Sequence, residues 1–354
     1  MSSAHDIVKE KFGTTKDGKD VYKFTLKAGK ISVNILNFGC VVKDILVPDR
    51  NGKVVDVCLA YDNFDGYETN PAFMGAICGR VANRIDGATF ELDGTKYDVS
   101  KCDPLLGNNF CHGGFTGLTR RCFDWTIDGT KLRLQYVDTD GSEGFPGDVT
   151  ITVTYELTEE SGLMIDYKAT TNKPTPVDIS NHFMVNLSGH DGGYIGDHVV
   201  NMNASQYLEF NENFIPTGTI TNVSGTMYDL QKPTVLNDVL DKMPGKDGLH
   251  LAYILPGAKG EKKMVAKAVH PASGRFIEVS TTEPAFIAYS CFYLDFLLKD
   301  SKCKDGVVYK KSGGILFMPQ GYPASVNVPS FPSSILRPGE TYHTTSWYKF
   351  GVTN

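Results

Sequence analysis

Three short stretches carry side chains able to move protons or hold oxygen atoms. In Pro174-Thr175-Pro176-Val177-Asp178-Ile179-Ser180-Asn181-His182-Phe183-Met184-Val185-Asn186-Leu187, one histidine stands between two asparagines on an apolar, β-branched background. In Asn108-Asn109-Phe110-Cys111-His112-Gly113-Gly114, a second histidine precedes two glycines, where backbone can approach a ligand closely. In Gly79-Arg80-Val81-Ala82-Asn83-Arg84-Ile85, two arginines flank an asparagine. A guanidinium in such apolar company holds a carboxylate or a ligand oxygen through its planar fork. For Arg84 an internal salt bridge is an equally good reading. An imidazole titrates near neutrality, so the histidines suit general acid–base chemistry. The competing account of His182 is a buried, satisfied ring, and that of His112 is a solvent-exposed turn. Phe110 and Cys111 argue against the second. A further stretch, Leu316-Phe317-Met318-Pro319-Gln320-Gly321-Tyr322-Pro323, reads as a late strand breaking into a proline-rich loop.

The elements that must position these groups are strands. Around His182, Val177 and Ile179 alternate with Asp178 and Ser180, and the upstream prolines favour an extended entry, so the histidine falls at or just past a strand end. Strands are predicted over Val21–Leu26, Ile31–Leu36, Val41–Val47, Val54–Ala60, Thr89–Leu92 and Lys96–Val99. More follow at Leu132–Val137, Val149–Leu157, Leu163–Ala169, Val199–Met202, Met264–Ala268, Phe276–Val279 and Phe286–Tyr289. Helical candidates are short, near Asn63–Glu68 and Val235–Asp241. The 36 glycines and 17 prolines serve the many turns. This pattern predicts an all-β fold, a large sandwich or barrel forming one domain over 1–354, with 1–19 a loosely ordered start.

Composition narrows the function. With 41% apolar residues the chain can bury a large core, and a net charge of −6 without a basic run excludes a nucleic-acid footprint. No stretch reaches the length of a membrane span, and no basic-then-apolar leader opens the chain. The eight cysteines show neither a CxxC pair nor zinc spacing, which predicts a reduced, disulfide-free cytoplasmic protein without a metal.

Seven segments in order resemble the galactose mutarotase (aldose 1-epimerase) family: Gly79–Ile85, Asn109–Gly114, Asp140–Gly147, Pro174–Leu187, Pro216–Gly218, Thr281–Pro284 and Tyr322–Glu340. The resemblance runs from about Asp20 to Phe350. It implies a single large β-sandwich of the galactose mutarotase type, a sugar-binding cleft, and no metal or cofactor. It also implies opening and closing of an aldose ring, with a glutamate taking the anomeric hydroxyl proton while a histidine protonates the ring oxygen. By this resemblance His182 is the catalytic acid, and Arg80 and His112 bind sugar hydroxyls. Asn83 and Asn109 are members of the same motifs with structural roles, Asn109 standing also among the substrate-contacting candidates.

The departures share a direction. Where the family has its glutamate base, this chain has Met318, and a thioether cannot accept a proton near neutral pH. The family's Gly-Tyr-Asp-His-Asn reads Gly248-Leu249-His250-Leu251-Ala252, with Asp247 three residues before His250 as the other candidate for the acidic position. The aromatic two places after the catalytic histidine is Met184, and the family's Gln-Phe-Tyr-Thr-Gly-Asn reads Ile287-Ala288-Tyr289-Ser290-Cys291-Phe292, leaving Tyr289 as a substrate contact. A free hexose in such a pocket would leave hydroxyls unpaired, at about 1–3 kcal/mol each.

Three readings compete. The first is an isomerase diverged toward a less polar cyclic hemiacetal-like compound, with His182 and His250 as an acid–base pair titrating in separate steps near pH 6–7 by the usual imidazole value of about 6.5. The second is an ordinary aldose 1-epimerase of galactose or glucose with His250 or Glu283 as substitute base. The third is a non-catalytic carbohydrate- or small-molecule-binding protein. All three take a small molecule as partner, with neither nucleic acid nor membrane.

Overall fold

The structure, a computed structural model, describes residues 7–160, 162–243 and 248–353. Alternation of apolar and polar residues decides most of its elements. Val149–Thr158 alternates buried and half-buried side chains along its whole length and pairs antiparallel with Lys131–Asp138 and Gly162–Thr171. These three belong to a nine-stranded sheet that continues through Tyr342–Val352, Arg275–Thr281, Lys263–Val269 and Val199–Met202.

A five-stranded meander runs from Val8–Thr14 to Val54–Asp56. Its inward Phe24, Val33, Ile35 and Ile45 share one apolar cluster with Ile151, Val153 and Ile165 of the large sheet. The Tyr155 hydroxyl crosses between the layers to the Cys40 carbonyl at 2.6 Å. The result is a β-sandwich, held by burial worth about 1.5–3 kcal/mol for each fully buried large side chain.

A second five-stranded sheet has the order Pro216–Asn222, Gln206–Phe210, His250–Ile254, Ala285–Tyr289, Leu316–Gln320. Its register sets His250 opposite Tyr289 and Tyr289 opposite Leu316, then Ala252 opposite Ile287 and Ile287 opposite Met318. Because the side-chain period is two, these six residues share one face.

The segment around His182 is extended but changes partners every few residues. Thr175–Pro176 pairs with Ile335–Leu336, Asp178 bridges Val81, Ser180–Asn181 pairs with Ile77–Cys78, and Val185 bridges Cys58 and Ile315. His182 follows the Ser180–Asn181 strand directly.

The start of the chain differs from expectation. Val8–Thr14 is an edge strand paired with Asp20–Ala28, and its largely exposed side chains left no apolar face to announce it. The expected Val54–Ala60 strand stops at Asp56, whose carboxylate accepts the Ile45 and Cys58 amides at 2.9 and 3.0 Å. Val235–Asp241 is two 3₁₀ turns, Leu236–Asp238 and Leu240–Lys242, rather than a helix. All eight cysteines are free. No described helix is long and apolar enough to cross a membrane.

Candidate active site

One face of that second sheet closes one side of a cavity. Its floor is His250, Tyr289, Ile287, Leu316 and Met318. The opposite wall comes from loops: Phe73, Asn83 and Arg84, Leu105, and His112, with His182 and Met184 between.

Backbone in an uncommon conformation aims several of these groups. Phe73, Asn83 and His112 all have positive φ, at +54°, +63° and +48°. Such residues persist only where surrounding structure over-determines them, and they concentrate at functional sites. After His112 the chain turns at Gly113, φ +98°, where a Cβ would run into the Gly79 carbonyl oxygen. Glu143 then accepts the Phe115 and Thr116 amides at 3.1 and 2.7 Å and fixes the loop beyond.

Two of the three cavity imidazoles are in contact, and burial disfavours the charged form of all three. The His112 and His182 rings lie 4.9 Å apart between centroids, edge to face, and Phe73 packs on both. The Asn83 amide donates to His112 Nδ1 at 3.2 Å, so the ring's proton sits on Nε2 as a donor. Burial drives His112 well below the ordinary imidazole value, with His182, Arg84 and His250 adding to the effect. Burial likewise lowers His182 to about 4, partly offset by the nearby carbonyls of His182 and Phe73. His250 falls to about 3 through burial, then Arg84 and His182. Nδ1 of His182 and Nδ1 of His250 are buried without a hydrogen-bond partner. The expectation of a pair titrating near pH 6–7 is therefore corrected: desolvation, not mutual repulsion, dominates, and both rings are neutral near pH 7 when the cavity is empty.

The two arginines exchange the roles expected of them. Arg80, 1% exposed, points away from the cavity: Nε meets Asp138 at 2.9 Å, and its other N–H groups reach the Pro146, Gly147, Asp138 and Thr139 carbonyls. It has no donor left for a ligand. Arg84 lines the cavity, with Nε on Asp103 at 2.7 Å and its guanidinium 5.3 Å from the Phe214 ring centroid. Asn109 also stands off the cavity, its side-chain oxygen accepting the Gly87 amide at 3.0 Å. Glu283 lines a different void, where Tyr342 donates to it at 3.0 Å, so it is not a base for this cavity. Asp247 lies outside the described residues.

Among the described residues the lining contains no carboxylate. Leu316, two residues before Met318 on one strand, was legible from period two. Phe73, Leu105 and Tyr293 come from loops, and no local pattern marks them.

A β-sandwich whose second sheet floors an apolar cavity edged by three imidazoles and a guanidinium brings groups capable of proton transfer into one concave site. A sequence profile described as Aldose 1-epimerase matches residues 22–349. The chain is 39% identical over 336 residues to galactose mutarotase of Mus musculus, covering 95% of each. It is 31% identical over 348 residues to aldose 1-epimerase of Escherichia coli, covering 94% of this chain and 96% of that one. Among solved structures, the GalM/aldose epimerase homologue from C. elegans superposes with a TM-score of 0.83 at 27% identity, covering 99% of this chain and 100% of that one. The chain belongs to the aldose 1-epimerase family, a family of isomerases.

Proposed function

We propose that this chain is an isomerase that opens, closes or epimerises a ring at a hemiacetal-type carbon, on a molecule less polar than a free hexose. His182 is its proton-transfer group and His250 its partner. The observation that carries this reading is the cavity floor, where Met318, Ile287 and Leu316 offer no hydrogen bond to a substrate hydroxyl, with Met184 beside them.

The chemistry follows from the neutral imidazoles. One neutral ring accepts the hydroxyl proton, the carbonyl forms, and the ring carbon–oxygen bond breaks. Charge developing on the ring oxygen meets the Arg84 guanidinium and the His112 Nε2–H, donors fixed before reaction. Rotation of the carbonyl carbon and closure from the other face invert the centre, and the proton returns. No cofactor enters the balance. Imidazoles at about 4 and about 3 are weak bases, which favours a substrate hydroxyl more acidic than that of a simple aldose.

The direct test is coupled mutarotation of α-D-glucose and α-D-galactose, with His182→Ala as control. We expect rates close to buffer, because lacking a strong general base costs about 10²–10⁴-fold. Conversion far above buffer that His182→Ala abolishes would establish the second reading, an ordinary aldose 1-epimerase. The 39% identity to mouse galactose mutarotase favours that reading. A set of less polar lactols, none of them turned over but one of them bound, would instead mark a non-catalytic binding protein.

A further inference from the structure

The cavity wall facing the sheet carries one large apolar side chain whose place the proton transfers do not require. Phe73 is 7% exposed, and its ring packs on both His112 and His182, at 4.9 and 6.0 Å between centroids. It shares one apolar cluster with Met184, Ile287, Leu316 and Met318. The groups able to bond a substrate oxygen are Arg84, His112, His182, His250 and Tyr289. Apolar surface bounds them on both sides: Phe73 from the loops, and Ile287, Leu316 and Met318 from the sheet.

Phe73 is held there against its own backbone preference. A φ of +54° is the left-handed region, an outlier for a bulky side chain, and such residues gather at ligand clamps. The turn around it is over-determined. The Phe73 amide donates to the Asn70 carbonyl at 3.1 Å. The fully buried Asn70 side chain accepts the Met74 amide at 2.8 Å and donates to the Met74 carbonyl at 3.1 Å. Arg120 holds the other side. Its Nε donates to the Thr69 carbonyl at 3.0 Å, a further N–H reaches the Phe115 carbonyl at 2.9 Å, and its guanidinium lies 5.8 Å from the Phe73 ring centroid. Two backbone bonds tie this turn to the segment carrying the proton-transfer histidine. Gly75 donates to the His182 carbonyl at 3.1 Å, and the His182 amide donates to the Ala76 carbonyl at 2.8 Å. The Phe73 ring therefore keeps a fixed place beside the His182 ring.

We propose that Phe73 is a specificity-determining residue, selecting a cyclic hemiacetal that carries no ring hydroxyl beyond the anomeric one. The inference rests on the isomerase reading above and names its substrate class. Such a ring lies flat between Phe73 and Met318, with its two oxygens turned to the imidazoles. A hexose in the same slot turns hydroxyls onto Phe73 and Met318, where no strong hydrogen-bond partner stands.

The test is binding to the full chain, followed by ¹H–¹⁵N NMR titration with two probes. One is D-galactose, and the other is 2-hydroxytetrahydropyran, a pyranose ring bearing only its anomeric hydroxyl. The parent chain should bind 2-hydroxytetrahydropyran at least about ten-fold more tightly than galactose. Phe73→Ala removes one apolar face and opens the imidazoles to hydroxyls, so it should narrow that preference by about ten-fold. In the parent, Phe73 ring protons should show intermolecular NOEs to bound 2-hydroxytetrahydropyran, a readout that holds even if Phe73→Ala fails to fold. Binding with those NOEs but without interconversion of the anomers would overturn the isomerase reading and leave the role of Phe73 standing. A preference unchanged in Phe73→Ala, or the absence of the NOEs, would overturn the role of Phe73 and leave the isomerase reading standing. A parent chain that prefers galactose, or binds neither probe, would overturn the role of Phe73 together with the substrate class.

Discussion

His182 and Asp178 lie on one extended segment and open into two different voids, His182 into the cavity and Asp178 into the one lined by Glu283, and burial acts on them in opposite directions. In the cavity it strips protons from imidazoles, leaving His182 at about 4 and His250 at about 3. In the carboxyl void it keeps a proton on Asp178 up to about 7. Both outcomes are neutral, because removing water penalises whichever form carries charge. The lesson is that the cavity's chemistry cannot be read from residue types alone. Three histidines suggest a charged acid ready near neutrality, whereas burial makes all three weak neutral bases, with Arg84 adding to the effect at His112 and His250.

The largest way to break this contrast is to leave a charge without its counter-ion. Asp103→Asn strips Arg84 of its carboxylate inside the cavity wall and should cost about 3–5 kcal/mol of stability, read by urea unfolding. Asp138→Asn does the same to Arg80, but there the carbonyls of Pro146 and Gly147 remain as acceptors. Its effect should be smaller and should leave the cavity imidazoles unmoved.

Acidification should separate the voids next. As pH falls, the unfolded chain protonates its histidines near the ordinary value of about 6.5, while folded His182 waits until about 4. Stability present above pH 6.5 is therefore lost on the way down to pH 4, by about 3 kcal/mol for this ring. His182→Gln should flatten the acid limb of a stability–pH curve by that amount. An acid limb as steep as the parent's would show that His182 is not desolvated.

A smaller but more specific change makes one void resemble the other. Met318→Glu places a carboxyl group on the histidine cavity floor, where its charge should raise the His182 and His250 pKa values by about 1 unit or more, seen by imidazole NMR. Burial should raise the new carboxyl's own pKa, so its destabilisation should grow as pH rises and vanish on acidification. If Met318 stands where the family resemblance puts the base, mutarotation of α-D-galactose should rise with it.

Much of this was legible in the sequence, and the gaps have physical causes. Ile31–Leu36, Thr89–Leu92 and Val199–Met202 carry enough alternation to fix both ends of each strand. The eleven-residue strand Tyr342–Val352 escaped because His343, Thr344, Thr345 and Ser346 interrupt its apolar face with side chains that bond to Asp166 and to neighbouring threonines. His112, His182, Met184, His250, Tyr289 and Met318 come together on one cavity because strand register or a motif tied each to its surroundings. Arg80 and Arg84 could not be told apart. They sit in an irregular stretch with no period, and the acids that claim them, Asp138 and Asp103, arrive from loops and strands far along the chain.

¹⁵N NMR titration of His112, His182 and His250 in the full chain from pH 3 to 8 measures directly whether the cavity imidazoles are neutral. We expect His182 and His250 to gain their protons only at about pH 4 and about pH 3, and His112 well below its ordinary value, with His112 held as the Nε2–H tautomer. A ring among them that gains its proton near the ordinary value of about 6.5 would contradict it, and would restore a charged acid to the cavity.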